Sequence, residues 1–503
     1  GHAVAQPPPM TEHAAARHRW RRPLRGAGWL LALGLALIAG YALYALTMLP
    51  PLQRWHTERL QGEFSAARHA GIDFAAYQRL EQALFDEMRQ RIAGWPHGDA
   101  AFADSRFNPE GEAMRLAAGA PLNRSFRLVQ PKPRGQALLV HGLTDSPYMM
   151  RAVARVLHAA GFDVTVLRLP GHGTLPSMMT TMASADWRAA VAIAARDVAA
   201  RAGSTQPFYA GGFSTGGTLV LLHALEALSD PALPLPSRLL LFAPAIQLTP
   251  VANLTEVVDV LAVLPLPALD KVRWQEILPE YDPYKFNSFP VNAALQINRL
   301  VHQLQGALER AQAEGLLARL PPVLAWQSVV DATVGFDGVA DALFGRLSGG
   351  QHRLVVFDVN RDVEYRSLLR ADSAQRLDRL RSAPRGWTLD IVGNAEAQDD
   401  PVQILRLAAD GTSERIPTTL RWPAQLLSLG HLALTLPDDD PVYGIAPGSG
   451  HAGVHSIGSW LLRGESGASL MQLGALTRVR SNPFWPLIEA DLAALARADA
   501  AKR

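Results

Sequence analysis

Hydrophobic residues follow two alternating patterns along residues 125–246. Short apolar runs, such as "GQALLVHG" and "FDVTVLRL", are typical of buried strands, whereas "PYMMRAVARVLHAAG" is typical of a helix. A second round follows, with a helix over about 184–201, the strand "PFYAGG", a helix after Ser214 and the strand "RLLLFAPAI". Strands that alternate with helices pair in parallel, because each helix returns the chain across the sheet. The pattern predicts an α/β fold with a mostly parallel central sheet.

Two stretches interrupt this alternation. Residues 247–320 are helical in pattern and punctuated by prolines, and a core strand returns only at "PPVLAWQS". After the strand "HRLVVFD", residues 361–425 are charged and rich in turns, although "WTLDIVG" and "VQILRLA" are typical of strands. We expect the first stretch to be a helical insertion outside the central sheet and the second to be a further insertion.

The N-terminal part contains an apolar run long enough to cross a bilayer. Residues 28–50 hold no charged residue over about 23 positions, the length of a membrane-spanning helix. Arginines are frequent in the preceding residues and charges of both signs follow, which favours a cytoplasmic N-terminus with the bulk of the protein outside the cytoplasm. We expect a cytoplasmic tail over residues 1–27, a transmembrane helix over 28–49 and a helical linker region over 50–122. A cleaved signal peptide is the alternative.

Composition narrows the classes of function. The chain has 503 residues, 48% hydrophobic and 19% charged, which is enough to bury a large core. Its 48 lysines and arginines nearly balance 46 acidic residues, leaving a net charge of +2, which argues against a nucleic-acid partner. The sequence contains no cysteine. Disulfides, thiolate catalysis and metal sites with cysteine ligands are therefore excluded.

Ser214 is the candidate nucleophile. It stands in "GFSTG", the only G-x-S-x-G pattern in the chain, with a predicted strand before it and a predicted helix after it. A serine at such a turn exposes its hydroxyl above the sheet, next to the N-terminus of the helix. A glycine-rich turn with an incidental serine would have the same local sequence.

An acylating serine also needs two backbone N–H groups that face the developing oxyanion. In this architecture the residue after the nucleophile, Thr215, supplies one donor. The other would come from the loop after the strand "QALLV", which reads "HGLT", and we assign it to the N–H of Leu143. His141 in the same loop is expected to be a buried structural histidine and not a base.

The stretches "LLVHGLTDSPYMMRAVARVLHAAGFDVTVLRLPGHGT", "GFSTGG" and "SVVDATV" resemble the α/β-hydrolase superfamily. The resemblance covers about residues 125–331 and is nearest to the bacterial carboxylesterase and monoacylglycerol lipase group, which includes serine aminopeptidase-like sequences. It implies an α/β-hydrolase catalytic domain over residues 123–503, a Ser-His-Asp triad, an oxyanion hole from the "HG" loop and a helical cap formed by residues 247–320. Together with the arginines that precede residue 28, this bacterial resemblance predicts a single-pass protein of the inner membrane whose catalytic domain is periplasmic.

The family position for the acid, just after the strand that follows the cap, is occupied by Asp331. The histidine departs from the plain family pattern, because "VVFDVNRDVEYRS" contains none. His431, His451 and His455 are the candidates. The stretch "LLSLGHLALTLPDDDPVYG" resembles a longer, membrane-anchored branch of the superfamily, which favours His431 as the base.

The predicted function is that of a membrane-anchored serine hydrolase that cleaves carboxylic esters, with a lipid-like acyl ester as substrate. The reaction needs no metal and no cofactor. A serine aminopeptidase or amidase and an acyltransferase would carry the same triad and stay open as alternatives. So does a non-catalytic hydrolase scaffold that binds a ligand or partner, although an intact Ser214 and Asp331 argue against it.

Overall fold

The central feature of the fold is a ten-stranded sheet. The structure is a computed structural model, and it describes residues 32–34, 36–37, 39–116, 122–247, 267–331, 333–361, 371–396, 399–423, 426–445 and 480–501. The strand order is β1-β3-β2-β4-β5-β8-β9-β10-β11-β12. The strands are β1 Phe126–Leu128, β2 Gly135–Val140, β3 Phe162–Leu167, β4 Phe208–Phe213, β5 Arg238–Phe242, β8 Val323–Ser328, β9 Arg353–Phe357, β10 Thr388–Glu396, β11 Asp399–Leu407 and β12 Ser413–Arg421. Strands β6 Trp274–Glu276 and β7 Phe289–Pro290 form a separate two-stranded sheet.

Seven neighbouring strands, from β3 through β10, run parallel to one another, and β1, β11 and β12 pair antiparallel at the two edges. Strands β2, β3, β4 and β8 are buried along their whole length, as expected for a sheet covered on both faces. The predicted α/β fold with a mostly parallel central sheet is therefore confirmed.

The helices, labelled in chain order, are α1 Arg54–Thr57, α2 Phe74–Ala93, α3 Ala100–Ala103, α4 Glu112–Leu116, α5 Arg151–Ala159, α6 Ser184–Ala202, α7 Thr215–Ala227, α8 Val291–Ala313, α9 Ala371–Ser382 and α10 Trp485–Ala501. Two groups of these helices pack together. Helices α6, α7 and α8 contact one another, and α5 contacts α10. Helix α7 packs on β4, the strand that ends at Phe213, so the turn between them lies at the carboxyl edge of the parallel strands.

The predicted cap region divides into two parts. Within residues 267–320 no strand joins the central sheet, as predicted. Helix α8, however, packs against α7, and its residues Leu300, Leu304 and Leu308 belong to the main hydrophobic core. Their spacing of four places them on one face of the helix, which is the face that the core buries. Residues 291–313 are thus a layer of the α/β domain and not a separate cap.

The second predicted insertion continues the central sheet. Residues 371–421 add α9 and the strands β10, β11 and β12 beyond β9. The chain leaves β9 and returns beside it, because Val359 forms an antiparallel bridge with Ser428 and the N–H of Asn360 donates to the carbonyl of Leu427 at 2.7 Å. After β12 the chain therefore returns, at Leu427 and Ser428, to the point where β9 ends.

The linker region is tied to the sheet by a buried ion network. Arg168, which follows β3, is 1% exposed and donates to Glu63 and to Glu81 of α2 at 2.9 Å each. Arg168 also donates to the carbonyl of His172. A buried guanidinium needs this many acceptors, because an unpaired charge in the interior is strongly destabilising. The network fixes α2 against the loop that follows β3.

The predicted transmembrane segment falls only partly within the described residues, since positions 28–31, 35 and 38 lie outside them. In the part of the chain that the structure describes, no helix is both long and apolar enough to cross a bilayer. Ala45 in the helical residues 39–48 and Leu49 directly after them pack against the stretch 272–277. The hydroxyl of Tyr41 donates to the carbonyl of Trp274 at 2.8 Å. Other large apolar side chains of this segment are exposed: Leu33, Leu37, Leu43, Tyr44, Leu46 and Met48.

Candidate active site

Ser214 occupies the sharp turn between β4 and α7 that the sequence predicts. Its backbone has φ 52° and ψ −117°, a conformation that a non-glycine residue rarely adopts. The turn is held on both sides. The N–H of Ser214 donates to the carbonyl of Phe242 at 2.9 Å, and the carbonyl of Ser214 accepts the N–H of Thr218 at 3.1 Å. Such strain persists only where the surrounding structure enforces it, and it concentrates at functional sites.

The glycines around Ser214 are required by close backbone contacts. A Cβ on Gly212 would lie 2.3 Å from the carbonyl carbon of Gly216, and a Cβ on Gly216 would lie 2.1 Å from the carbonyl oxygen of Val140. Helix α7 therefore starts directly against β2 and β4. This contact explains the G-x-S-x-G pattern, because any side chain at either glycine would move the helix away from the sheet.

The loop 141–145 after β2 lies beside the serine turn. A Cβ on Gly142 would stand 2.9 Å from the ring of Phe213, the residue before Ser214. Thr144 has a φ of 65° and accepts the N–H of Phe286 on its carbonyl at 2.8 Å. Leu143, the predicted second oxyanion donor, is thus held in a strained loop next to Ser214, and Thr215 begins helix α7. Their roles stay predictions, taken up below.

His141 has the structural role that the sequence analysis gave it. The N–H of Leu169 donates to its Nε2 at 3.0 Å, so the proton of the neutral ring lies on Nδ1, which faces the carbonyl of Gly142 at 2.8 Å. Burial holds the pKa of His141 well below its usual value. Both ring nitrogens are engaged with the backbone, so this histidine holds the loop and is not available as a base.

Asp331 and His431 are brought into direct contact across 100 residues of sequence. The Nδ1–H of His431 donates to Oδ2 of Asp331 at 2.7 Å, and both side chains are buried. Asp331 also accepts the N–H groups of Thr333 and Val334 and the side-chain amide of Gln327. Burial alone would raise the pKa of Asp331, but the His431 imidazole and these donors lower it overall. The carboxylate is therefore kept ionised and aimed at the imidazole.

His431 also lies beside the serine turn. Its ring is 4.9 Å from the ring of Phe213, centre to centre. It begins a short 3-10 turn, His431–Ala433, shortly after the bridge between Ser428 and Val359. The long excursion through β10, β11 and β12 thus delivers the histidine to the end of β9. The two other candidates, His451 and His455, lie outside the described residues.

A lysine from the predicted cap region supports the loop 141–145, and the sequence analysis did not find it. Lys285 Nζ donates to the Thr144 hydroxyl at 2.6 Å and to Oδ1 of Asp145 at 2.8 Å, and it lies 3.5 Å from the carbonyl of Leu143. Asp145 is 1% exposed, and burial raises its pKa although the Lys285 ammonium lowers it. We call these contacts the Lys285 clamp. Nothing in the local sequence links residues 140 positions apart.

Comparison with known proteins identifies the family. A family profile described as serine aminopeptidase, S33, matches residues 131–333. A thermostable monoacylglycerol lipase of Bacillus sp. (strain H-257) is 30% identical over 219 residues, which cover 43% of this chain and 78% of that enzyme. The chain belongs to the α/β-hydrolase superfamily. In this hydrolase the matched residues include five strands of the central sheet, β2, β3, β4, β5 and β8, and the chain that connects them.

Solved structures to which the chain is similar include two lipolytic proteins. One is from a study of LipS and LipT, metagenome-derived lipolytic enzymes, with 20% identity, a TM-score of 0.38 and coverage of 52% of this chain and 99% of that one. The other is the monoacylglycerol lipase of Paleococcus ferrophilus, with 17% identity, a TM-score of 0.35 and coverage of 51% and 97%. In the described part of this hydrolase, no group of three or more acidic or histidine side chains could hold a metal ion.

Proposed function

We propose that this hydrolase cleaves carboxylic esters through an acyl-enzyme formed on Ser214. The observation that carries the proposal is the hydrogen bond between His431 and Asp331, buried beside the strained turn of Ser214. A buried imidazole that is oriented by a carboxylate and lies next to a serine turn is the arrangement that activates a serine.

Each group has a defined part in the reaction. His431 takes the proton of the Ser214 hydroxyl on Nε2 while the oxygen attacks the acyl carbonyl, and Asp331 stabilises the imidazolium that results. The N–H groups of Leu143 and Thr215 stabilise the oxyanion, each by roughly 3 to 4 kcal/mol. The imidazolium then protonates the leaving alcohol. Water, deprotonated by the same imidazole, attacks the acyl-enzyme and releases the carboxylic acid.

The observations favour a neutral, lipid-like ester over an aminoacyl substrate. The curated relative is named a monoacylglycerol lipase. An aminopeptidase must bind the substrate's ammonium, for which a free carboxylate near the nucleophile is the natural partner. Asp145, the carboxylate of the loop 141–145, is instead paired with Lys285 at 2.8 Å. Aminopeptidase activity, suggested by the description of the family profile, is the second candidate.

A panel of substrates tests this proposal. We expect the purified chain to react with a fluorophosphonate probe and to hydrolyse p-nitrophenyl esters of graded acyl length faster than aminoacyl anilides. The variant Ser214→Ala, which folds with the same turn but lacks the nucleophile, is the control for both assays. Faster cleavage of the anilides would establish the aminopeptidase. Absence of labelling in the folded chain would establish a scaffold without turnover.

We also propose that residues 28–49 anchor the enzyme in a bilayer, with the catalytic domain outside the cytoplasm. The support is the uncharged run in the sequence and the row of exposed apolar side chains on the helical residues 39–48. We expect the chain to sediment with membranes, to be released by detergent and to be digested by protease added to spheroplasts. Release by high salt alone, or protection from the protease, would contradict the anchor or its orientation.

A further inference from the structure

A cavity of about 530 Å³ lies between α2 and the loop that follows β3, and none of its lining residues belongs to the site described above. Its volume falls within the range of small-molecule binding sites. One wall is apolar and comes from α2 and the chain that follows it: Phe85, Met88, Ile92, Phe107, Pro109 and Met114. The other wall holds polar residues, Arg106, Asn123, Arg124 and Thr174. The cavity is thus apolar on one side and polar on the other.

The arginines that line the cavity give it a positive charge. Its lining includes the arginines Arg89, Arg106 and Arg124, and no aspartate or glutamate occurs among the described residues that form it. Arg89 pairs with Asp86 at the surface and Arg124 donates to Gln82. Arg106 differs from both because it is only 7% exposed. The lining therefore suits a ligand with a negative charge and not a cation.

Arg106 and Thr174 carry polar atoms that the described protein leaves unsatisfied. Arg106 Nη2 donates to the side chain of Asn123 at 2.9 Å, but its buried Nη1 has no hydrogen-bond partner in the part of the chain that the structure describes. The buried hydroxyl of Thr174 likewise has no hydrogen-bond partner among the described residues. Burial lowers the pKa of Arg106, although the carboxylates of Glu280 and Asp282 oppose this shift. Buried donors without partners are rare in native proteins and call for a ligand, an ion or a water.

The polar wall is built by a close backbone approach. Gly173 has a φ of 74°, and a Cβ there would lie 2.2 Å from the carbonyl oxygen of Asn123. Only glycine permits this contact, which sets Thr174 and Asn123 side by side next to Arg106. The Asn123 side chain also donates to the carbonyl of Pro283, so the wall is fixed to the predicted cap region.

We propose that this cavity binds a single-chain fatty acid. The alkyl chain lies against the apolar wall, and the carboxylate accepts hydrogen bonds from the guanidinium of Arg106 and the hydroxyl of Thr174. A carboxylate satisfies both unpartnered donors at once, and charge-assisted bonds of this kind are among the strongest in proteins. A fatty acid is also the product of the hydrolysis proposed above, so the cavity would hold product away from Ser214. That link rests on the proposed function, but the binding itself does not.

Calorimetric titration of the full chain with decanoate tests the proposal, with decanol as the neutral probe of the same chain length. We expect decanoate to bind and decanol to bind at least tenfold more weakly. Arg106→Met and Thr174→Val should each weaken decanoate binding, the first by about tenfold or more. Arg91→Met, which removes a positive charge from the same helix α2 at a residue that does not line the cavity, should leave binding within twofold of the parent. Met88→Trp fills the cavity from the apolar side and should abolish binding even if Arg106→Met does not fold.

Two results would overturn the proposal: no decanoate binding to the parent chain, or equal binding by the parent and the folded Arg106→Met and Met88→Trp variants. A titration of the chain phosphonylated at Ser214 separates this cavity from the catalytic site. Unchanged binding supports a distinct site, and loss of binding assigns decanoate to the catalytic site and refutes the proposal. If the chain does not react with the phosphonate, the proposed function fails, while the dependence on Arg106 and Met88 still decides the present question.

Discussion

The variant His431→Ala is expected to lose roughly five orders of magnitude in kcat for its best p-nitrophenyl ester, with KM nearly unchanged. Members of a catalytic unit that acts in concert show losses of this size when one is removed. His431 is the described histidine that combines a 2.7 Å hydrogen bond to Asp331 with a position beside Phe213. In the proposed reaction, its loss removes the acceptor for the serine proton and leaves only binding and oxyanion stabilisation. Steady-state kinetics of the purified variant measure the effect.

Two further histidines provide the matched controls. His451→Ala and His455→Ala should keep activity within a few-fold of the parent chain. Asp331→Asn should lower kcat by roughly four orders of magnitude, because the amide no longer stabilises the imidazolium. Near-normal activity of His431→Ala, together with loss of activity in either control, would transfer the role of base to that histidine and would leave the assignment of Ser214 intact.

The variant Lys285→Met is expected to lower kcat by about ten- to a hundredfold while KM changes by no more than about twofold. The Lys285 clamp supports the loop that carries Leu143, and it contacts that loop at Thr144, Asp145 and the Leu143 carbonyl. Lys285 is a positioning residue, because it acts through the loop and not on the substrate. Loss of one oxyanion donor costs a factor of about a hundred to a thousand, and a loosened donor should cost less. The kcat of ester hydrolysis and the rate of fluorophosphonate labelling should fall together, since both reactions place an oxygen in the proposed oxyanion hole.

Lys271→Met is the matched control for the clamp. Lys271 lies in the same predicted cap region, and its Nζ donates to the carbonyl of Leu49 at 2.9 Å, so the variant loses a comparable lysine contact elsewhere. Its kcat should stay within twofold of the parent. Lys285→Arg should recover part of the lost activity, because the positive charge beside Asp145 is restored. A rise in KM with unchanged kcat in Lys285→Met would instead place the lysine in substrate binding.

The local parts of the site could be predicted because they depend on neighbouring residues. Around Ser214, one apolar run predicts the strand and a second apolar run predicts the helix. The glycines between them, Gly212 and Gly216, permit the close contacts of the turn. The parallel order of the strands follows from their alternation with helices. Helix α8 was harder to place, because a helix that buries one face has the same pattern whether it covers the site or packs on α7.

The α/β architecture and the serine turn could be read from the amino-acid sequence, since hydrophobic period and glycine placement act over a few residues. Which distant side chains meet becomes visible only in the folded chain. Residues 361–425 contain the strand patterns of β10 and β11, but only pairing with β9 shows that they widen the sheet and return the chain to Leu427. The same holds for the pairs His431 with Asp331 and Lys285 with Asp145. A hydrogen bond forms wherever the packed core brings a donor to an acceptor, and the packing of a core depends on the whole chain and not on the residues beside either partner.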